Sequence, residues 1–125
     1  MSELMIVLVI LSVIAGLAVP NYRQTIERTR ANEAIANLEI IHNGQKIFKL
    51  DNGAFWPTSG TTNCAAPATC GAINAGLNTD IETDFYTLTV GPSSSSAYTA
   101  RADRAGGSKW YQITQTGAIT SGGTF

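Results

Sequence analysis

Sixteen consecutive residues, Leu4 to Val19, carry no charge, and Ser12 alone among them has a polar side chain. A helix lying on a soluble core shows a polar stripe at the 3.6-residue period, and this run shows none. At ~1.5 Å per residue it spans about 24 Å as a helix, somewhat short of the ~30 Å hydrocarbon core of a bilayer. From Tyr22 to about Leu50 the pattern changes. Ile26, Ala34, Leu38, Ile41 and Phe48 recur at three-, four- and seven-residue multiples, with Ala31 and Ile35 alongside. Glu27, Arg28, Arg30, Glu33 and Lys46 fall mostly off that face, which predicts an amphipathic helix whose apolar stripe holds a sheet. Asp51-Asn52-Gly53 should stop it, Gly53 being suited to a left-handed C-terminal turn.

Residues 54–82 read as a connecting loop, with Pro57, Pro67 and both cysteines, and with Phe55 and Trp56 tucked against the head. Strands follow. Phe85 to Val90 alternates and is rich in β-formers. Gly91-Pro92 and four serines make a turn, Ala97 to Ala102 a second strand, and Lys109 to Thr114 a third. Ala118 to Thr120 forms a short final segment. The fold class is therefore α+β: a long N-terminal α-helix, apolar in its first half and amphipathic in its second, packed on a 3–4 stranded antiparallel sheet. The chain divides into a hydrophobic segment, 1–22, and a remainder, 23–125, that carries the amphipathic helix, the loop and the β-sheet head.

Three readings of the apolar run compete. A buried core helix lacks its polar stripe. A cleaved signal peptide would have small residues at Gly16-Leu17-Ala18, but the usual basic n-region is missing. A membrane-resident helix that also has a protein destination fits best. Glu3 separates it from a plain anchor. At the end of the segment the acid could simply sit among headgroups, where its cost is small. Alternatively it awaits a cation, which the chain's own amino terminus or that of a neighbouring copy would supply. Pro20 removes a helical hydrogen bond, Gly16 weakens the same stretch, and Ser12 can bond back to the backbone. Residues 12–20 thus form a helix able to bend or locally melt, as repacking among copies would require.

Composition narrows the chemistry. Net charge is −1, so no basic field is available and charge predicts no nucleic-acid partner. Cys64 and Cys70 are close enough for a disulfide, which fits an oxidising location. Two free buried thiols are the plain alternative; a metal site is the other, but His42 is the sole histidine and lies far off in sequence. His42 has no nucleophile or base beside it in the pattern, and a packing or solvent-facing role is expected. Asp80, Glu82 and Asp84 alternate before the first strand. They could bind calcium, but such a run is more often a solvated strand edge. No catalytic residue, metal ligand or cofactor is assigned, and the chain is expected not to be an enzyme. Arg23, Arg28 and Arg30 follow the apolar run and by the positive-inside rule would hold the head in the cytoplasm. The cysteine pair and the Ser/Thr-rich strands point outward, and that orientation is adopted.

Glu3-Leu4-Met5-Ile6-Val7, the apolar run, and Pro20-Asn21-Tyr22 at the same acid-to-proline spacing resemble the type IV pilin superfamily, which includes type II secretion pseudopilins. The likeness is to a type IVa pilin-like major subunit. It implies a precursor in the inner membrane, trimmed and N-methylated by a prepilin peptidase. An inner-membrane assembly platform, driven by a cytoplasmic ATPase, then builds copies into an extracellular filament. Helices would bundle at the filament centre with heads outside. Adhesion, motility or DNA uptake are the uses this implies. Glu3 falls where the family's acid recruits a neighbour's amine, and Pro20 where its helix kinks; Ser12, Gly16 and Tyr22 complete the assembly set. Family members begin with Phe and about two further residues before the position of Ser2, so the mature chain is expected to extend about two residues before Met1. Ser12 replaces a common family glycine, and the cysteines lie mid-chain rather than near the C-terminus. The Asp-Pro-Trp-Gly stretch of major pseudopilins is absent, favouring a pilin over a pseudopilin. A minor pilin that binds DNA or a surface is the remaining alternative.

Overall fold

The structure, a computed structural model, describes residues 1–124, apart from the side chains of Pro20 and Pro67. One α-helix, α1, runs from Ser2 to Asn52. The chain forms two compact units, Met1–Ala31 and the residues from Asn32 onward.

The second unit is the head. Its helical face carries Ala34, Leu38 and Ile41, all buried. This is the stripe expected from the spacing, although Ile35 and Phe48 are only half-buried. The helix ends as expected. Gly53 takes φ +78° and its N–H donates to the Lys49 carbonyl at 2.8 Å, while the Asn52 side chain donates to the Phe48 carbonyl at 3.1 Å. A residue with a Cβ would be strained at that φ.

Five antiparallel strands follow in simple meander order: β1 (Thr62–Cys64), β2 (Tyr86–Val90), β3 (Thr99–Arg104), β4 (Trp110–Thr114) and β5 (Ile119–Gly122). The count exceeds the three or four expected because β1 lies inside the segment read as a loop. Three residues are too short for a period-2 signal, and β1 exists through its pairing with β2, Cys64 standing opposite Leu88. A second short helix, α2 (Gly71–Leu77), was likewise not predicted; its seven residues give little periodicity. Both lie on either side of the Cys64–Cys70 disulfide.

Alternation along the strands puts Tyr86, Leu88, Val90, Ala100, Ala102, Tyr111 and Ile113 into the core. The central strand contributes only alanines to the buried part of this face, opposite Leu88 and Val90 on one side and Tyr111 and Ile113 on the other. Small residues there make room for the larger side chains of α1 in a close-packed interior. On the opposite face, Trp110 pairs in register with Gly122, and a Cβ at Gly122 would lie 2.6 Å from the indole ring. Only glycine lets the ring cover that edge backbone.

The connection from helix to sheet is held by side-chain amides. Gln45, fully buried on α1, accepts the Trp56 N–H at 2.8 Å and donates to the Trp56 carbonyl, which also receives the Ser93 hydroxyl at 3.0 Å. Asn74 does the same for Ile81, accepting its N–H at 2.7 Å and donating to its carbonyl at 3.0 Å. Asn37 donates to the Glu82 carbonyl at 2.9 Å. Each bond satisfies backbone groups that a ladder would otherwise pair. Phe55 is buried beside Tyr98, with ring centroids 4.9 Å apart, as its tucked position required.

Candidate assembly site

The first unit presents the apolar run. Every large apolar side chain from Leu4 to Val19 is between 53% and 71% exposed, on all sides of the helix. A helix that is apolar all round belongs in lipid or among other helices, and this stretch is long and apolar enough to cross a membrane.

The predicted assembly residues are strung along this helix and do not converge on one pocket. Glu3 stands in the first turn, where a carboxylate complements the helix N-terminus. It makes no ion pair among the described residues. Ser12 bonds back to the Val9 carbonyl at 2.7 Å, the local bond expected of it. Ser12 and Gly16 share a face by their four-residue spacing. A Cβ at Gly16 would meet nothing within 4 Å among the described residues, so none of them requires a glycine there. Tyr22 is 67% exposed. Pro20 falls within α1, and its side chain, with the kink expected of it, lies outside the described residues. Past the apolar run, Thr25 and Thr29 bond back to the carbonyls of Asn21 and Thr25, and Glu27 pairs with Arg30 at 3.1 Å.

The head brings together groups that sequence distance had separated. His42 is buried, its Nδ1 bonded to the Tyr98 hydroxyl. Burial lowers the imidazole pKa, and the nearby Lys46 charge adds to the shift. Burial raises that of the Tyr98 phenol. Both groups are therefore neutral near pH 7, and the imidazole tautomer sets which of the two donates. Of the two roles expected for His42, packing is the one it has.

Cations meet aromatic rings on both faces of the sheet at β2, β3 and β4, Arg101 with Trp110 on the outer face and Arg104 with Tyr86 on the face that packs the core. The Arg101 guanidinium lies 4.5 Å from the Trp110 ring and pairs with Asp103 at 2.8 Å. Arg104 donates to the Phe85 and Ala105 carbonyls and lies 5.8 and 5.9 Å from the Phe85 and Tyr86 rings. Lys109 lies 5.3 Å from the Tyr111 ring. Sequence reasoning missed this cluster. Its signal was Arg101, Arg104 and Lys109 among Phe85, Tyr86, Trp110 and Tyr111, masked by a net charge of −1. Asp80, Glu82 and Asp84 are exposed, with Ile81 and Thr83 buried between them. No group of three or more metal-ligating side chains occurs among the described residues.

A front helix that is apolar all round, an amphipathic continuation and an antiparallel meander fit the pilin class that the amino-terminal residues resemble. Residues 20–114 match the family described as "Type IV minor pilin ComP, DNA uptake sequence receptor", and the chain belongs to that family. The matched region begins after the apolar run, so the head and the front segment point to the class separately. The chain is also 35% identical over 57 residues to the type II secretion system core protein G of Aeromonas hydrophila. That match covers 46% of this chain and 39% of the relative's length.

Proposed function

We propose that the chain is a structural subunit of a type IV pilus-like extracellular filament, joining other pilins through residues 1–22 and acting without catalysis. The carrying observation is the unbroken apolar exposure of Leu4 to Val19. In the precursor these side chains lie in the inner membrane; in the filament they lie against other copies. Lipid is as apolar as a neighbouring helix, so burial alone does not drive the transfer, and packing and polar pairing must supply the selectivity. Glu3 fits that pairing because it makes no ion pair among the described residues. Ser12 and Gly16 offer a narrow face for close helix approach, a common device where helices meet in lipid. Family membership supports a membrane-anchored start and a filament of pilins. The prepilin peptidase and the assembly platform are the machinery this reading requires. The test is Glu3→Ala in cells making the filament, read as the yield of sheared surface fibres. A strong loss is expected, and wild-type yield would remove the pairing role. The relationship to a secretion protein keeps a short periplasmic pseudopilus as the rival; microscopy that finds no surface fibres favours it.

A second reading rests on the β2–β4 cluster. Arg101 over Trp110 on the outer face, with Arg104 by Phe85 and Lys109 by Tyr111 as further cation–ring pairs, is the chemistry that holds nucleic acid strands, and the matching family is described as a DNA uptake sequence receptor. In this reading the subunit carries DNA on its head as well as building the filament. The full chain should retain labelled DNA on a filter, with retention falling as salt rises. Arg101→Ala with Lys109→Ala should abolish it; unchanged retention would sink the reading.

A further inference from the structure

Past the front helix, the exposed large apolar side chains of the described residues are Ile40, Ile47 and Leu50, all on α1. Leu50 is 86% exposed. It borders an open groove of about 570 Å³ formed with Lys46, Lys49 and Phe55. The Lys49 ammonium lies 4.6 Å from the Phe55 ring. No ion pair among the described residues involves Lys46 or Lys49. Apolar and basic surface thus coincide at the C-terminal end of α1.

The opposite charge lies elsewhere on the same head. Asp80, Glu82 and Asp84 are exposed and make no ion pair among the described residues. Their level along α1 is fixed, because the Glu82 carbonyl takes the Asn37 side-chain N–H. Asn37 precedes Lys46 and Lys49 by nine and twelve residues, which at 1.5 Å per residue is about 14–18 Å along the helix. The acidic segment and the basic ledge are therefore offset along one axis.

We infer that the ledge formed by Lys46, Lys49, Ile47 and Leu50 docks the Asp80–Asp84 segment of a second copy of this chain, head to tail. The inference rests on the filament reading for the parallel direction of the two helices. One copy displaced along the axis by about the same 14–18 Å brings unlike charges together and covers Leu50. Glu39 and Asp51 border the same helical face, so the incoming acids seat on the Lys46–Lys49 side of it. The contact uses different surfaces on the two copies. Each added copy leaves one ledge and one acidic segment open, and such an interface propagates without closing. The head then sets spacing between neighbours, a task the nearly uniform front helix is poorly suited to perform.

The experiment places Leu50→Cys and Glu82→Cys in the full chain, in the membranes of cells that produce it, and applies an oxidant. The native cysteines are already paired and do not interfere. A ladder of dimers, trimers and larger species, absent from either single variant, is expected. Dimers alone would mean a closed two-fold pair, and cross-links to a different protein or none at all would equally overturn the inference. A charge exchange supplies the second arm. Lys46→Glu with Lys49→Glu should cut the ladder about tenfold or more, and adding Asp80→Lys with Asp84→Lys in the same chain should restore it. A reversal that leaves the ladder intact refutes the docking. Surface fibres from the wild type are scored separately by microscopy. Their absence counts against the filament reading, whereas fibres without the ladder count against this contact alone.

Discussion

Leu8 and Leu38 belong to the same helix and have opposite fates: Leu8 is 62% exposed and Leu38 fully buried. Residue type does not distinguish them; their neighbours in sequence do. Leu8 lies in a run whose one polar side chain is Ser12, so no face of its helix can turn to water. Leu38 lies on a stripe whose other side is polar, so one face can pack while the other stays wet. The head completes its core within one chain. The front segment is exposed along its length, and its stability must come from lipid or from other copies. A single helix can thus carry a folding instruction in one half and an assembly instruction in the other.

The sharpest way to break this comparison is to make the same substitution in both halves. Leu38→Ala should destabilise the head by about 2–5 kcal/mol, because transfer and cavity costs both fall on a packed site. Leu8→Ala should shift the unfolding of the head by less than about 0.5 kcal/mol. Chemical denaturation of the full chain in detergent, followed by tyrosine and tryptophan fluorescence, measures both. Equal losses would mean that Leu8 is packed within the monomer.

A smaller effect is expected from the crosslink. Replacing Cys64 and Cys70 by serine should cost roughly 2 kcal/mol in the chain-entropy model, since the closed loop is short. The loss should be confined to the head, as both cysteines are buried there. Proteolysis near β1 and α2 should rise, while membrane retention by the front segment stays unchanged.

Acid should separate the halves in a third way. The pKa of His42 is lowered in the folded head, first by burial and then by Lys46. Unfolded, the imidazole binds a proton near its usual ~6.5. Below that pH the unfolded chain binds more protons than the folded one, so stability falls as pH falls and is fully present above it. His42→Gln should flatten this slope in urea titrations between about pH 5 and 7. An unchanged slope would exclude His42 as its source.

The smallest change sharpens the role of Gly16. Gly16→Ala should raise helix stability by no more than about 1 kcal/mol, and its Cβ meets none of the described residues within 4 Å. If two copies approach closely there, fibre yield should nevertheless fall. Yield equal to or above wild type would show that the glycine serves no contact.

Much of the head could be read in advance where the signal is periodic. The alternation over residues 85–90 became β2 and that over 109–114 became β4, within one residue. Where the signal is short or polar it could not. β1 and α2 have too few residues for a period to emerge. Gln45 and Asn74 carry the side-chain amides that hold the connection, yet in sequence they are ordinary polar residues. Nothing before folding says which backbone groups will lack partners. The cluster of Arg101, Arg104 and Lys109 with aromatic rings was hidden for another reason: net charge averages over the whole chain, whereas strand pairing sets Arg101 and Trp110 on one face.

The sequence alone therefore determined the division of α1, its stop at Gly53, the α+β class and the isolation of Glu3 ahead of an uncharged run. These are local properties, written in periodicity, propensity and charge at neighbouring positions. Tertiary structure alone decided that His42 meets Tyr98, that Gln45 grips Trp56, and that the Asp80–Asp84 segment and the Lys46–Lys49 ledge lie apart along one axis. Those depend on distances between residues far apart in the chain, and such distances exist only once the sheet has closed over its helix.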